Sequence, residues 1–215
     1  MDKYYDQSML LQLEKTKTAL EKNNINAFVV QTKEQALQKV EELLTDGATV
    51  ALGGTITAKE CGVLELLRSG RYNFLDRETA KDKTEIYRKS FFADYYICSS
   101  NAVTQNGELY NVDGNGNRVA CICYGPSSVI MIVGRNKLTR DLNAAVQRVK
   151  TVAAPANCQR LSCDTYCHET GFCMGKDMTE GCKSDGRICS SYVVTGFQRV
   201  KGRINVILVN EELGY

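Results

Sequence analysis

Cysteine stands out in this sequence, both in number and in distribution. Six of the ten cysteines lie between residues 158 and 189. Four of them would supply the thiolates for one tetrahedral zinc ion or one iron–sulfur cluster: Cys167, Cys173, Cys182 and Cys189. None of their spacings is the tight Cys-x2-Cys pair of zinc ribbons and ferredoxins, so the pattern predicts a metal without choosing which one.

Three more residues and one alternative interpretation belong to this cysteine-rich segment. Cys158 and Cys163 are spare or alternative ligands, and His168, the only histidine of the chain, could replace one thiolate. The alternative is a set of free or transiently oxidised thiols. A metal would supply order to a segment that is poor in large apolar residues.

The segment 53–57 has the residue types of an anion site. Gly53 and Gly54 allow close approach of a ligand, the predicted helix that follows offers free N–H groups, and Thr55 and Thr57 add hydroxyl donors. This pattern predicts binding of a phosphate or a carboxylate. The alternative is a tight turn in which Thr57 caps the helix and Glu60 completes a capping box. The segment matches neither a Walker P-loop nor the dinucleotide fingerprint.

A second polar loop follows at residues 111–118. Asp113, Asn115 and Asn117 could orient a polar ligand, and Arg118 could pair with its anionic group. The alternative is a polar connection between two strands.

Carboxylates are the candidates for catalysis in this chain. The single histidine lies among cysteines, which argues against a Ser-His-Asp or Cys-His pair. Glu108 and Asp113 are the predicted acid, base or nucleophile, each near the end of a predicted strand. Glu60 is a weaker candidate because the capping box explains it.

Hydrophobic patterning predicts the elements that position these residues. Strand-like and helix-like segments alternate, which indicates an α/β fold with a mostly parallel sheet and helices on both faces. Predicted helices lie at 5–23, 32–44, 57–69, 78–92 and 139–152; predicted strands lie at 27–30, 49–52, 73–75, 95–98, 118–123, 128–133, 192–195 and 204–209. Asn106-Gly107 marks a hairpin between 102–104 and 108–112. The chain is expected to form one domain, 1–215, with 158–190 as a loop-rich insertion.

Composition narrows the class of protein. The chain has 215 residues, 43% hydrophobic and 24% charged, with a net charge of +2 and the signs mixed. It is therefore expected to be globular, to bind no nucleic acid and, lacking a long apolar run or a signal peptide, to contact no membrane and to reside in the reducing cytoplasm.

Taken together, several motifs resemble the LUD domain of the lactate-utilisation family. They lie at 50–57, 62–64, 73–77, 92–97, 101–104, 106–118 and 203–215, and the resemblance covers essentially the whole chain. It implies an α/β fold like that of the ribose-phosphate isomerase and CoA-transferase superfamily. The residues that it places at the ligand site are Gly53, Gly54, Thr55, Thr57, Asp113, Asn115, Asn117 and Arg118.

The resemblance also implies a function. Family members take part in bacterial oxidation of lactate to pyruvate beside iron–sulfur subunits, so we expect an accessory protein or subunit in lactate or organic-acid redox metabolism. It would bind a small phosphate or carboxylate ligand and pair with an iron–sulfur or dehydrogenase protein. One alternative is an enzyme like a sugar-phosphate isomerase or an acyl-CoA transferase or hydrolase. Another is a non-catalytic interaction module whose cysteine loop docks a partner.

Overall fold

A computed structural model describes residues 3–215. Within this range the α-helices are α1 (Lys3–Lys22), α2 (Lys33–Leu43), α3 (Ile56–Glu60), α4 (Val63–Leu67), α5 (Lys83–Lys89), α6 (Asn117–Cys123), α7 (Leu142–Arg148), α8 (Ala154–Leu161) and α9 (Tyr166–Thr170). The strands are β1 (Asn26–Val30), β2 (Thr49–Leu52), β3 (Asn73–Leu75), β4 (Tyr95–Cys98), β5 (Ala102–Thr104), β6 (Leu109–Asp113), β7 (Ser128–Gly134), β8 (Leu138–Thr139), β9 (Ser191–Thr195) and β10 (Ile204–Val209).

A six-stranded parallel sheet forms the centre of the molecule, in the order β1-β10-β7-β4-β2-β3. Strands β7 and β10 consist mostly of apolar residues because helices and loops cover both faces of the sheet. The two faces carry separate apolar clusters, one with Leu13 and Leu20 of α1, the other with Ala36 and Val40 of α2. The α/β fold with a mostly parallel sheet is therefore confirmed.

A second, four-stranded sheet has the order β8-β5-β6-β9. The hairpin predicted at Asn106-Gly107 joins β5 and β6, which pair antiparallel. Gly107 has a φ of +82°, and a Cβ there would lie 2.6 Å from the backbone of Ala19 in α1. The glycine therefore permits both the turn and its close contact with α1.

Two local predictions were wrong, and two predicted helices have other bounds in the structure. Residues 118–123 form helix α6 and not a strand; Val119 and Ile122 share its buried face, a spacing that a short apolar run does not distinguish from a strand. The helix predicted at 78–92 is confined to α5 and a 3₁₀ turn. The helix predicted at 139–152 continues through a π-helical turn into α8. Thr55, and not Thr57, caps α3 by accepting a hydrogen bond from Ala58 N.

The cysteine-rich segment lies between α8 and β9 and includes the short helix α9. From residue 171 to residue 190 it has no helix or strand. Among residues 3–215, no helix combines the length and the apolar character that crossing a membrane requires.

Candidate functional site

A cavity of about 520 Å³ opens at the carboxyl-terminal edge of the parallel sheet. Gly54 and Thr55 follow β2 along one part of its wall, and Ser99 and Ser100 follow β4 along another. Arg187 of the cysteine-rich segment also lines it. Ligands of open α/β sheets bind at this edge, so the location is that of a binding site.

The wall of this cavity is rich in positive charge, and we call it the basic cavity. Its lining residues include these cationic side chains: Lys59, Arg77, Lys83, Arg118, Lys137, Arg160 and Arg187. Glu78 and Asp113 are the carboxylates that line it. The excess of cations favours an anionic ligand.

Arg77 and Lys83 differ from the other cations of the basic cavity. Lys59 forms an ion pair with Glu78 at 2.5 Å. In contrast, no residue among 3–215 lies within hydrogen-bonding or ion-pair distance of the side chains of Arg77 and Lys83. The guanidinium of Arg77 lies 3.4 Å from the point that a Cβ on Gly54 would occupy. These two charges are therefore available to a ligand.

Arg118 is buried in the wall, and its side chain donates its hydrogen bonds to other groups of the protein. Its guanidinium has five N–H groups, and they donate to Asp113 Oδ1 (2.9 Å), Ser99 O (3.0 Å), Asn111 Oδ1 (2.6 Å), Asn101 Oδ1 (2.8 Å) and Val112 O (2.9 Å). Direct pairing with a ligand, as the sequence predicts, would require Arg118 to give up one of these bonds. In this arrangement Arg118 joins β6, α6 and the loop after β4.

The two predicted catalytic carboxylates lie in different places. Asp113 lines the basic cavity, where its Oδ1 pairs with Arg118 and its Oδ2 accepts from Val119 N at 3.0 Å. Glu108 lies at the β5–β6 hairpin and is not among the lining residues; its Oε2 accepts from Thr104 Oγ1 at 2.7 Å. The structure thus does not bring Glu108 and Asp113 to one site.

Only some residues of segment 53–57 line the basic cavity. Gly54 and Thr55 line the basic cavity, whereas Gly53 packs against Tyr96, whose hydroxyl would lie 2.7 Å from a Cβ at Gly53. Thr57 is buried below the cavity, and its hydroxyl donates to Leu213 O at 3.1 Å. Gly53 and Thr57 therefore shape the site without lining it.

Lys137, which the sequence analysis missed, is a buried cation in this wall. It is 3% exposed, and its ammonium donates to Thr57 Oγ1 at 2.7 Å and to Ser99 Oγ at 3.1 Å. Burial, with the nearby charges of Arg148 and Arg118, lowers the pKa of Lys137 to about 7. An amine of this pKa can both hold and release a proton near neutral pH.

Asn115 and Asn117, which the sequence analysis singled out, line the basic cavity. Most of the cations beside them had no local sequence signal. Arg77 ends the motif at 73–77, whereas Lys83, Lys137, Arg160 and Arg187 come from separate elements and belong to no motif. Only the register of strand ends and the return of the cysteine-rich segment bring them to one cavity.

A second, smaller cavity of about 30 Å³ lies beside the basic cavity, and we call it the thiol cavity. The four predicted metal ligands Cys167, Cys173, Cys182 and Cys189 all line it, together with Cys158. The lining includes neither Cys163 nor His168; the Nδ1 of His168 lies 3.3 Å from Cys158 O.

The thiols of the chain are free in this structure. All ten cysteines fall within the described residues, and none forms a disulfide. The Sγ atoms of Cys158 and Cys167 are 3.4 Å apart and share a hydrogen bond. No three His, Cys, Asp or Glu side chains among residues 3–215 are already arranged to hold a metal ion. The metal that the spacing predicts therefore stays a prediction.

Comparisons with known proteins place the chain in a family. It is similar in structure to a crystal structure, at 1.70 Å resolution, of a DUF162 family protein from Deinococcus radiodurans, with a TM-score of 0.51 and 17% sequence identity over 95% of this chain and 98% of that chain. That identity shows a shared fold alone. No curated protein matches the chain. The family model of the LUD domain matches residues 13–209, and because this match spans most of the sequence, the chain belongs to the LUD domain family.

Proposed function

We propose that this protein binds a small anionic ligand, a phosphate or a carboxylate, in the basic cavity. The observation that carries the proposal is the pair of cations without a protein partner among residues 3–215, Arg77 and Lys83, in a wall with few carboxylates. An anion stabilises a cation that faces a cavity more than the water it replaces does. The reason is that charge-assisted hydrogen bonds are stronger than hydrogen bonds between neutral groups.

The size and the other donors of the cavity narrow the ligand class. A volume of about 520 Å³ is ordinary for a small-molecule site. The hydroxyls of Thr55, Ser99 and Ser100 and the amides of Asn115 and Asn117 supply neutral hydrogen-bonding groups beside the cations. A hydroxy acid or a phosphorylated metabolite has both an anionic group, which suits the cations, and neutral polar groups, which suit the hydroxyls and amides.

Membership of the LUD domain family supports a finer proposal. We infer an accessory protein or subunit in lactate or organic-acid redox metabolism, working with an iron–sulfur or dehydrogenase protein. Ten unpaired thiols support the cytoplasm as its compartment.

Calorimetry of the purified protein tests the anion site. Inorganic phosphate, pyrophosphate and L-lactate are titrated separately into wild type, Arg77→Ala and Arg88→Ala, the last being an exposed arginine outside the cavity. Arg77→Ala should weaken binding by about 10-fold or more, the value of one charge-assisted contact. Arg88→Ala should bind as wild type does. Equal affinities of all three proteins, or no binding of any probe, would contradict the site.

A second candidate function, proton transfer by an enzyme, is favoured by Lys137. Its buried amine stands in the cavity wall with a pKa of about 7, which suits an acid or base of an isomerase-like reaction. In D₂O, such an enzyme would introduce deuterium at the carbon next to the carbonyl of ribose 5-phosphate or pyruvate. Lys137→Met should abolish that exchange while Arg88→Ala retains it; no exchange in wild type would remove this candidate.

A further inference from the structure

The thiol cavity gathers cysteines that are distant in sequence. Cys158 comes from α8, Cys167 from α9, and Cys173, Cys182 and Cys189 from the irregular loop that follows. The loop therefore folds around its thiols.

Positive groups also face the thiol cavity. The ammonium of Lys150, a buried side chain, lines it and donates to Glu180 O at 2.6 Å. The guanidinium of Arg187 donates to Cys189 O at 2.7 Å and to Cys182 O at 3.0 Å. Four thiolates around a divalent ion carry two net negative charges, and these two cations would balance them.

Cys182 has a polar neighbour inside the loop. Its Sγ lies 3.5 Å from the hydroxyl of Ser184, which can donate a hydrogen bond to a thiolate. The thiolate is the form that binds metal.

We propose that Cys167, Cys173, Cys182 and Cys189 bind one divalent ion of the zinc type in the thiol cavity. Four thiolates in a closed tetrahedral arrangement are the ligand set of structural zinc sites. The cavity of about 30 Å³ has room for one ion between the thiols that line it. Each ligand thiol loses its proton to solvent as the ion binds.

Cys158 lies outside the proposed ligand set. It is 1% exposed in α8, and its sulfur already accepts a hydrogen bond from Cys167 Sγ. Once Cys167 is a metal-bound thiolate, Cys158 would donate its S–H to it, in reverse of the present bond at 3.4 Å. Such an outer partner strengthens a metal site without ligating the ion.

Metal binding requires the loop to tighten. No three of the thiols already hold metal-binding geometry among the described residues, and the irregular backbone of 171–190 is the part that can adjust. Arg187 and Ile188 line both cavities, and the backbone of Ile188 lies 3.3 Å from the point that a Cβ on Gly114 would occupy. The ion would therefore fix one wall of the basic cavity, a consequence that rests on the proposed anion site.

The test begins with protein purified without oxygen and assayed for zinc, iron and sulfide. Metal-free protein is then titrated with Co²⁺, whose tetrahedral thiolate complexes give charge-transfer and intense visible bands. Single alanine variants of the four proposed ligands, of Cys158 and of Cys163 are compared, and circular dichroism verifies that each is folded. Phosphate affinity of wild type is measured with and without Zn²⁺.

For wild type we expect one zinc per chain and the cobalt spectrum of a tetrathiolate site. Neither of these two measurements depends on the folding of a variant. Each ligand variant should lose the stoichiometric ion. Cys158→Ala should keep it with about 10-fold weaker binding, and Cys163→Ala should match wild type. Iron with sulfide, no metal and no cobalt spectrum, or retention by the Cys173→Ala variant would each overturn the proposal. A bound ion that leaves phosphate affinity unchanged would overturn only the link to the anion site.

Discussion

The basic cavity lies between two regions that are built differently. On one side, strands β7 and β10 of the parallel sheet bury every residue from Val129 to Gly134 and from Ile204 to Val209. On the other side, the cysteine-rich segment between α8 and β9 has few buried apolar side chains. Arg187 holds its loop through bonds to Cys182 O, Cys189 O, Thr179 O and the Tyr192 hydroxyl.

This difference shows which conditions each region responds to. Stability of the sheet comes from apolar area removed from water, and this contribution changes little with pH or metal. Stability of the cavity wall comes from charges and hydrogen bonds, such as those of Arg118 and Lys137, which depend on protonation and on what is bound. A substrate or a metal can therefore reorganise the wall while the sheet stays intact.

The largest loss of stability should follow from a substitution that leaves an empty space in the core of the sheet. Ile132 is fully buried in β7, and Ile132→Ala should lower the free energy of unfolding by about 3–4 kcal/mol. Val194 in β9 is 40% exposed, and Val194→Ala should cost less than about 1 kcal/mol. Urea unfolding measures both, and equal losses would break the distinction between the two regions.

A smaller effect should separate the two predicted catalytic carboxylates. Asp113→Asn leaves the largely buried Arg118 without its carboxylate and should cost about 3 kcal/mol. Glu108→Gln keeps an acceptor for Thr104 at the hairpin and should change stability by less than about 0.5 kcal/mol. Phosphate titration of both variants completes the comparison: loss of binding in Glu108→Gln would contradict the structural placement of Glu108.

The smallest effect is a pH dependence in the cavity wall. Folding lowers the pKa of Lys137 from 10.5 to about 7, so between these values the unfolded chain binds more protons than the folded one. The penalty for burying the ammonium is therefore full below pH 7 and is relieved as pH rises. Relative to Lys137→Met, wild type should gain roughly 1 kcal/mol per pH unit above pH 7. Urea unfolding between pH 7 and 9 checks this, and parallel curves would contradict it.

Prediction from the sequence succeeded where local patterning and burial agree. The apolar runs of β7 and β10 and the Asn106-Gly107 turn were read correctly because each is a local signal of a buried strand or a hairpin. Residues 118–123 were misread because six apolar-rich residues fit either period. Thr57 was predicted to cap α3, but the residue that caps it is Thr55.

The amino-acid pattern alone specified the α/β fold, the family and the clustering of cysteines, because periodicity, turns and spacing are properties of neighbouring residues. Tertiary structure decided the rest. It separated Glu108 from Asp113, enclosed Arg118 among protein acceptors, and brought Arg77 and Lys137 to one wall. The physical reason is that charge, burial and pKa at a site depend on groups that the sheet assembles from distant parts of the chain.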